Sequence, residues 1–154
     1  MRRTVRMAAL LALAATLPAI VDAQSVPNLS GTWVLVPEKS EFGAMPAPAG
    51  RTDVITHQEP KLTIKRTVGG ATFDLVYAID GKPWKNSIPQ GEVTSTLAWD
   101  GPVLVMTSSL PMQGNELLIN DRLSLSADGK TLTQARKLTV QGQDTAQMLV
   151  FAKQ

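Results

Sequence analysis

LSGTWVLVPEKSEFG, residues 29–43, contains a Trp two positions after a Gly, inside a short apolar run that stops at a Pro. A run of this length, bounded by Gly31 and Pro37, predicts one β-strand over residues 31–36. The residues from Pro37 to Phe42 have room for a single helical turn. We therefore expect Gly31 and Trp33 to be structural residues at the start of a sheet.

The rest of the chain repeats this pattern of short runs rich in Val, Ile, Leu and Thr. Most runs end at turns such as Gly69-Gly70, Asp80-Gly81, Asp100-Gly101 and Asp128-Gly129. Because Asp-Gly suits the positive φ angles of tight hairpins, we expect consecutive runs to pair as antiparallel neighbours. The further predicted strands cover residues 51–57, 61–68, 71–79, 83–88, 92–99, 102–109, 116–126, 131–140 and 144–152.

Apolar side chains alternate with polar ones within these runs. In residues 71–79, one face carries Phe73, Leu75, Tyr77 and Ile79, and this period of two is that of a strand. Nine or ten hairpin-linked strands form a meander, which closes on itself or splits into two sheets. The sequence predicts an all-β fold, an antiparallel up-and-down barrel of about 8–10 strands, with a two-sheet sandwich as the alternative.

The first 23 residues have the composition of a cleaved signal peptide. Three Arg precede an apolar stretch from Met7 to Leu17, and Val21 and Ala23 supply the small residues that precede a cleavage site. The apolar stretch is shorter than the roughly 20 residues that cross a bilayer. We predict cleavage after Ala23, a secreted or periplasmic protein, and one domain over residues 24–154 without stable membrane insertion.

Cleavage changes the charge of the protein. The signal peptide takes away three Arg and one Asp, which leaves 12 basic and 12 acidic residues. A neutral domain lacks the clustered Lys and Arg that bind nucleic acid, so we exclude that partner class. The chain has no Cys, so no disulfide supports the fold.

The opening stretch, together with RTDVITHQEPKLTIKR, YAIDGK, WDG and LSADGKTLT, resembles a group of secreted bacterial lipocalin-like (calycin-type) barrel proteins. The resemblance covers nearly all of residues 24–154 and implies an up-and-down barrel, but no activity or cofactor. In lipocalins and fatty-acid-binding proteins a Gly-x-Trp motif places the Trp as a plug at one barrel end, packed against a later Arg. The resemblance leaves two candidates for the Arg, of which Arg136 is favoured because Arg122 faces away from the leucines of its strand.

Few residues offer catalytic or metal chemistry. His57 is the only His and is expected to be exposed at a strand end, and no metal-ligand spacing surrounds it. No Gly-x-Ser-x-Gly elbow accompanies it, so a hydrolase is a remote alternative. We predict a protein that is not an enzyme and uses no cofactor or metal.

Charged residues on apolar strand faces are the candidate ligand-binding residues. Asp121, Arg66 and Arg136 fall on such faces, where an unpaired charge is costly. They form internal ion pairs or hold the head group of an anionic amphiphile, whose tail would contact Phe73, Tyr77 and Leu75. Of the carboxylates within strands, Asp121 is the one expected on an apolar face. Residues 43–50 are a surface connection or a lid in which Met45 meets the ligand.

Two functions remain open. The first is a binding protein for one small apolar or amphiphilic molecule. The second is an envelope interaction or inhibitor protein whose barrel is filled by side chains. A cavity favours the first function, and its absence the second.

Overall fold

The computed structural model describes residues 25–154, so the predicted signal peptide lies outside the described residues. Residues 25–154 form ten antiparallel strands in one sheet that curls into a nearly closed barrel, which confirms the predicted fold. One 3-10 turn, Pro37–Lys39, follows the first strand. The strands are β1 (Gly31–Leu35), β2 (Arg51–Gln58), β3 (Lys61–Val68), β4 (Ala71–Ala78), β5 (Trp84–Ile88), β6 (Gly91–Asp100), β7 (Val103–Met112), β8 (Asn115–Leu125), β9 (Thr131–Val140) and β10 (Gln143–Lys153).

The strands lie in the order β4-β3-β2-β1-β10-β9-β8-β7-β6-β5. Consecutive strands are therefore neighbours in the sheet except β4 and β5, which are its two edges, and β10 returns to pair with β1 through Trp33 and Lys153. The Gly69-Gly70 turn has φ angles of 57° and 81°, the left-handed values that a tight hairpin requires of Gly. Alternation along each strand directs one set of side chains into the barrel.

The barrel has two different ends, because connections alternate between them. One end, which we name the closed end, holds the C-terminal end of β10 and the connections β2–β3, β4–β5, β6–β7 and β8–β9. The other end, which we name the open end, holds residues 42–50 and the turns 69–70, 89–90, 113–114 and 141–142.

Trp33 fills the closed end. Its side chain is fully buried, and its indole Nε1 donates a hydrogen bond of 2.9 Å to the carbonyl of Leu29. Lys153 lies over the indole ring, with its Nζ 5.4 Å from the ring centroid. Gly31 has a φ of 144°, and a Cβ there would stand 2.5 Å from Lys153 Cε. Because Gly31 has no side chain, it can adopt this φ angle and leaves room for Lys153 beside Trp33.

The barrel closes without a backbone ladder between β4 and β5. This corrects the expectation that all consecutive strands pair, since residues 79–83 form too long a connection for a tight hairpin. The Asn86 side chain takes the place of the missing partner strand. Its Oδ1 accepts from Val76 N–H at 2.8 Å and its Nδ2 donates to Val76 C=O at 3.1 Å. We name this contact the β4–β5 seam.

No helix within residues 25–154 has the length and apolar character needed to span a bilayer.

Replacing Trp33 by Ala should lower the free energy of unfolding by about 3 to 5 kcal/mol, because truncation of a buried aromatic loses both transfer energy and packing. Trp84→Ala is the matched control, since Trp84 keeps 36% of its surface exposed. Urea denaturation of both variants measures the difference. Equal effects of the two substitutions would contradict the role of Trp33 as the plug.

Candidate functional site

A cavity of about 360 Å³ lies inside the barrel, on the open-end side of the Trp33 plug. This volume is at the lower end of the range for small-molecule sites. The cavity has a polar layer at its base and apolar walls above it. We name as the polar layer Arg51, Asp53, Arg66, Tyr77, Ser95, Ser108, Asp121, Gln134 and Arg136; Gln90 and Gln147 are further polar residues of the lining.

Asp53 binds two guanidinium groups at once. Arg66 lies directly across the β2–β3 pair and donates from Nε to Oδ1 at 2.8 Å and from Nη2 to Oδ2 at 2.9 Å. Arg51, two residues before Asp53 on the same inward face, donates to the same oxygens at 3.3 and 2.7 Å. The Arg51 guanidinium also stacks 4.9 Å from the centre of the Phe151 ring. One carboxylate therefore holds both arginines inside the barrel.

A second ion pair lies on strands β8 and β9. Asp121 and Arg136 are cross-strand partners, and Arg136 donates from Nε and Nη2 to the two carboxylate oxygens at 2.7 and 2.9 Å. Such bidentate geometry satisfies both groups and fixes both side chains. Between the two charged clusters, Ser95 and Ser108 share a hydrogen bond of 2.7 Å across β6 and β7.

The pKa shifts of the polar layer follow from burial and from excess positive charge. Burial alone would raise the pKa of Asp53, but Arg66 and Arg51 outweigh it and hold that pKa well below its usual range. Burial, followed by repulsion from Arg66, lowers the pKa of Arg51 to about 10. Burial raises the pKa of Tyr77, so its phenol stays protonated and can donate a hydrogen bond.

The cavity carries one more positive charge than negative. Its lining holds three guanidinium groups and two carboxylates, and no Lys, Glu or His. Arg66 and Arg136 use Nε and Nη2 for their ion pairs, so the Nη1 of each has no hydrogen-bond partner within residues 25–154. Each side chain keeps 18% of its surface accessible, and both line the cavity. Donors for a further anion are therefore present.

Apolar side chains line the cavity from the polar layer to the open end. The predicted residues Phe73, Leu75 and Tyr77 are among them. Residues of the 43–50 segment also line it, so this segment covers part of the mouth, as the lid interpretation predicted. The other apolar lining residues near the mouth are Phe42, Met45, Pro46, Pro48, Val68, Ile88, Leu110, Leu117, Ile119 and Leu138.

The structure corrects the predicted partner of Trp33. Arg136 is held by Asp121 in the polar layer, and the cation over the Trp33 ring is Lys153. The direction of Arg136 into the barrel agrees with the prediction. Arg122 points outward and pairs with Asp100 at 2.7 Å, as its strand position indicated. Trp84 is exposed and lies at the closed end, away from the cavity.

His57 is buried, which makes the prediction of an exposed strand-end His wrong. Its Nδ1 accepts from the Leu29 N–H at 3.2 Å, and its Nε2 lies 2.7 Å from Glu59 Oε1. Because Nδ1 accepts, the ring proton is on Nε2 and is donated to Glu59. Both ring nitrogens are thus engaged in holding the closed end, and neither is available to activate a serine.

Sequence reasoning missed Arg51 and Asp53. Asp53 lies on the same face as Ile55 and is 4% exposed, contrary to the expectation that only Asp121 occupies an apolar face. The outward face of β2 carries Val54, which is 41% exposed, so hydrophobicity did not separate the two faces. The available signal was the alternation Arg51, Asp53, Ile55, which places both charges on the inward side.

Comparison with known proteins finds likeness at the level of fold. No family model and no curated protein matches the chain. Among solved structures, a secretary abundant heat soluble (SAHS) protein from Ramazzottius varieornatus is 14% identical with a TM-score of 0.67, over 86% of this chain and 100% of that one.

Two further solved structures have TM-scores of 0.59. The REP1-NXSQ fatty acid transporter is 15% identical over 82% of this chain and 96% of its own. The fatty-acid-binding protein 1 of Echinococcus granulosus is 14% identical over 80% of this chain and 96% of its own. These likenesses establish a calycin-type barrel.

Asp53→Asn should lower the free energy of unfolding by about 3 to 5 kcal/mol near neutral pH, because it leaves two buried guanidinium groups without a counter-charge. Since the folded-state pKa of Asp53 is depressed, its stabilisation is complete above the ordinary Asp value of about 3.9 and is lost as pH falls below it. Urea denaturation across this acid range should show the gap to wild type narrowing. The exposed Asp74→Asn is the control; a gap that does not change with pH would contradict the assignment.

Proposed function

We propose that this protein is a non-catalytic binding protein for one small anionic amphiphile. The head group, a carboxylate or a similar anion, lies at the polar layer, and the tail extends toward the open end. The observation that carries this proposal is the excess positive charge of the cavity, together with the unpaired Nη1 groups of Arg66 and Arg136.

An anionic head group complements the electrostatics of the cavity. A buried charge without a partner is costly, and three arginines share two carboxylates here. One monoanion brings the cavity to neutrality. A planar carboxylate also accepts paired N–H donors in the geometry that guanidinium groups provide. The protonated Tyr77 supplies a further donor at the same level.

The apolar walls determine the orientation of the ligand. Below the polar layer, Trp33, Leu97 and Leu104 are fully buried and leave the closed end packed. Above it, the walls are mostly apolar up to Met45 and Pro46 of the 43–50 segment, with Gln90 and Gln147 as the polar exceptions. A molecule whose head group binds the arginines can therefore place its tail only toward the mouth. The modest cavity volume favours a short tail.

The named activities of the structural neighbours agree with this proposal. Two of them are described as a fatty acid transporter and a fatty-acid-binding protein, and both bind apolar ligands by these descriptions. The alternative of an envelope interaction or inhibitor protein requires a barrel filled by side chains, and the cavity weighs against it. The engagement of both His57 nitrogens weighs against a hydrolase.

We also propose that the protein acts in the periplasm or outside the cell, since the first 23 residues have the order of a signal peptide. N-terminal sequencing of protein recovered from the host's periplasm or medium should begin at Gln24. Recovery of a chain that still begins at Met1 would contradict export.

Calorimetric titration with decanoate and with decanol tests the ligand assignment. Arg66→Met removes one guanidinium, while Arg51 still donates to Asp53, so no carboxylate is left unpaired. The variant should bind decanoate more weakly by about 1.5 to 3 kcal/mol, the contribution of a hydrogen bond to a charged group. Decanol, which has the same tail but no charge, should be affected much less.

Arg122→Met is the matched control, because Arg122 lies on the outer surface and pairs with Asp100. It should leave the affinity for decanoate unchanged. Equal losses for decanoate and decanol in Arg66→Met would contradict the head-group position. Absence of heat with either ligand in the wild type, confirmed by a failure to raise the melting temperature, would contradict the binding function itself.

A further inference from the structure

Charge is distributed unequally between the two ends of the barrel. The open end contains no charged residue in its connections, which are residues 42–50 and the turns 69–70, 89–90, 113–114 and 141–142. We name this set the uncharged rim. Three of the four connections at the closed end carry charges, namely Glu59, Asp80, Lys82, Asp128 and Lys130, and the β6–β7 connection does not. Charges also adjoin both ends: Asp100 and Lys153 at the closed end, and Glu41, Arg51 and Glu92 at the open end.

The uncharged rim also presents apolar side chains to solvent. Met45 in the lid and Met112 beside the 113–114 turn keep 49% and 47% of their surface exposed, and Val140 beside the 141–142 turn is exposed as well. Small residues fill the space between them: the lid contains three Ala, and the turns contain Gly at positions 69, 70, 114 and 142. Three of the eight large hydrophobic side chains that are exposed within residues 25–154 thus lie at this rim, and a group of exposed apolar side chains indicates a contact surface.

We propose that the uncharged rim docks on the interface of an electrically neutral lipid bilayer. The charge pattern specifies a neutral surface. The rim has no Lys or Arg to bind anionic lipid, and the nearest outward charges include the carboxylates of Glu92, Glu116 and Asp144. Lys85 and Lys137 pair with two of these, at 2.8 and 3.5 Å from Glu92 and Asp144.

The position of the cavity supports a bilayer as the partner. Met45, Pro46 and Ile88 belong to or adjoin the rim and also line the cavity. A docked rim would place the apolar walls of the cavity against the apolar interior of the bilayer, so an amphiphile could enter tail-outward without exposing its tail to water.

Tryptophan reporters test the orientation. The native Trp33, Trp84 and Trp99 all lie toward the closed end, so the rim has no native fluorophore. Met112→Trp places one at the rim, and Ala127→Trp places one in the exposed β8–β9 connection at the closed end. With ligand-free protein and vesicles of brominated phosphatidylcholine, the Met112→Trp emission should shift to the blue and be quenched. For Ala127→Trp, the change in emission on adding vesicles should be no larger than that of the wild type.

Charge variants test the affinity. The double substitution Met45→Glu with Met112→Glu should reduce co-sedimentation with phosphatidylcholine vesicles several-fold, because each carboxylate must leave water. Ala127→Glu is the control and should bind as the wild type does. Raising the salt concentration should not weaken wild-type binding, and replacing half of the lipid by phosphatidylglycerol should not strengthen it.

Three results would overturn the proposal: no quenching at Met112→Trp, equal quenching at both reporters, or binding that requires phosphatidylglycerol. Sedimentation velocity should show no self-association of the wild type that is lost in the double substitution. If such self-association is observed, the rim joins two copies of this chain instead of meeting a bilayer. Since these measurements use no cavity ligand, their failure is distinct from a failure of the decanoate titration.

Discussion

The Asp53 carboxylate is the constraint on which the interior of this barrel depends. It accepts four hydrogen bonds from Arg51 and Arg66, so two guanidinium groups can remain charged among apolar side chains. Without it, both arginines would have to reach water or remain buried without a counter-charge, which is costly. The same carboxylate sets their direction, which keeps the base of the cavity polar and open.

Asp53 also separates two kinds of packing within one sheet. Toward the closed end, aromatic and aliphatic side chains fill the barrel around Trp33 and Phe151, as in an ordinary protein core. Toward the open end, the inward side chains line a space instead of filling it. The filled half supports the fold, and this support allows the other half to stay hollow. The packed core and the cavity thus occupy different halves of the same strands.

Alternation and turn chemistry were sufficient to predict the strands. The predicted runs 61–68 and 131–140 have the same bounds as β3 and β9, and Gly69-Gly70 forms the predicted tight turn after β3. Prediction failed where a side chain replaces the backbone and for the inward charges Arg51 and Asp53 of β2. Asn86 closes the β4–β5 seam through its amide, which no pattern of hydrophobicity reveals.

The site was predictable in part. Arg66, Asp121 and Arg136 stand among apolar residues of their own strands, so their inward direction could be inferred from one strand at a time. Asp53 and His57 belong to a strand on whose inward face only Ile55 is apolar, and their burial depends on partners from elsewhere, Arg66 and Leu29. Pairing across strands depends on register, which the sequence of a single chain leaves open.

The β4–β5 seam gives the barrel one place where two sheet edges face each other without a ladder. Everywhere else, separating neighbouring strands breaks a row of backbone hydrogen bonds, whereas here it releases Val76 from a single side-chain amide. Amide protons along the facing edges of β4 and β5 therefore lack the protection of their counterparts in β9. A parting of these two edges breaks no backbone ladder, and an extended chain that reached them would find unpaired donors and acceptors ready to form a new strand.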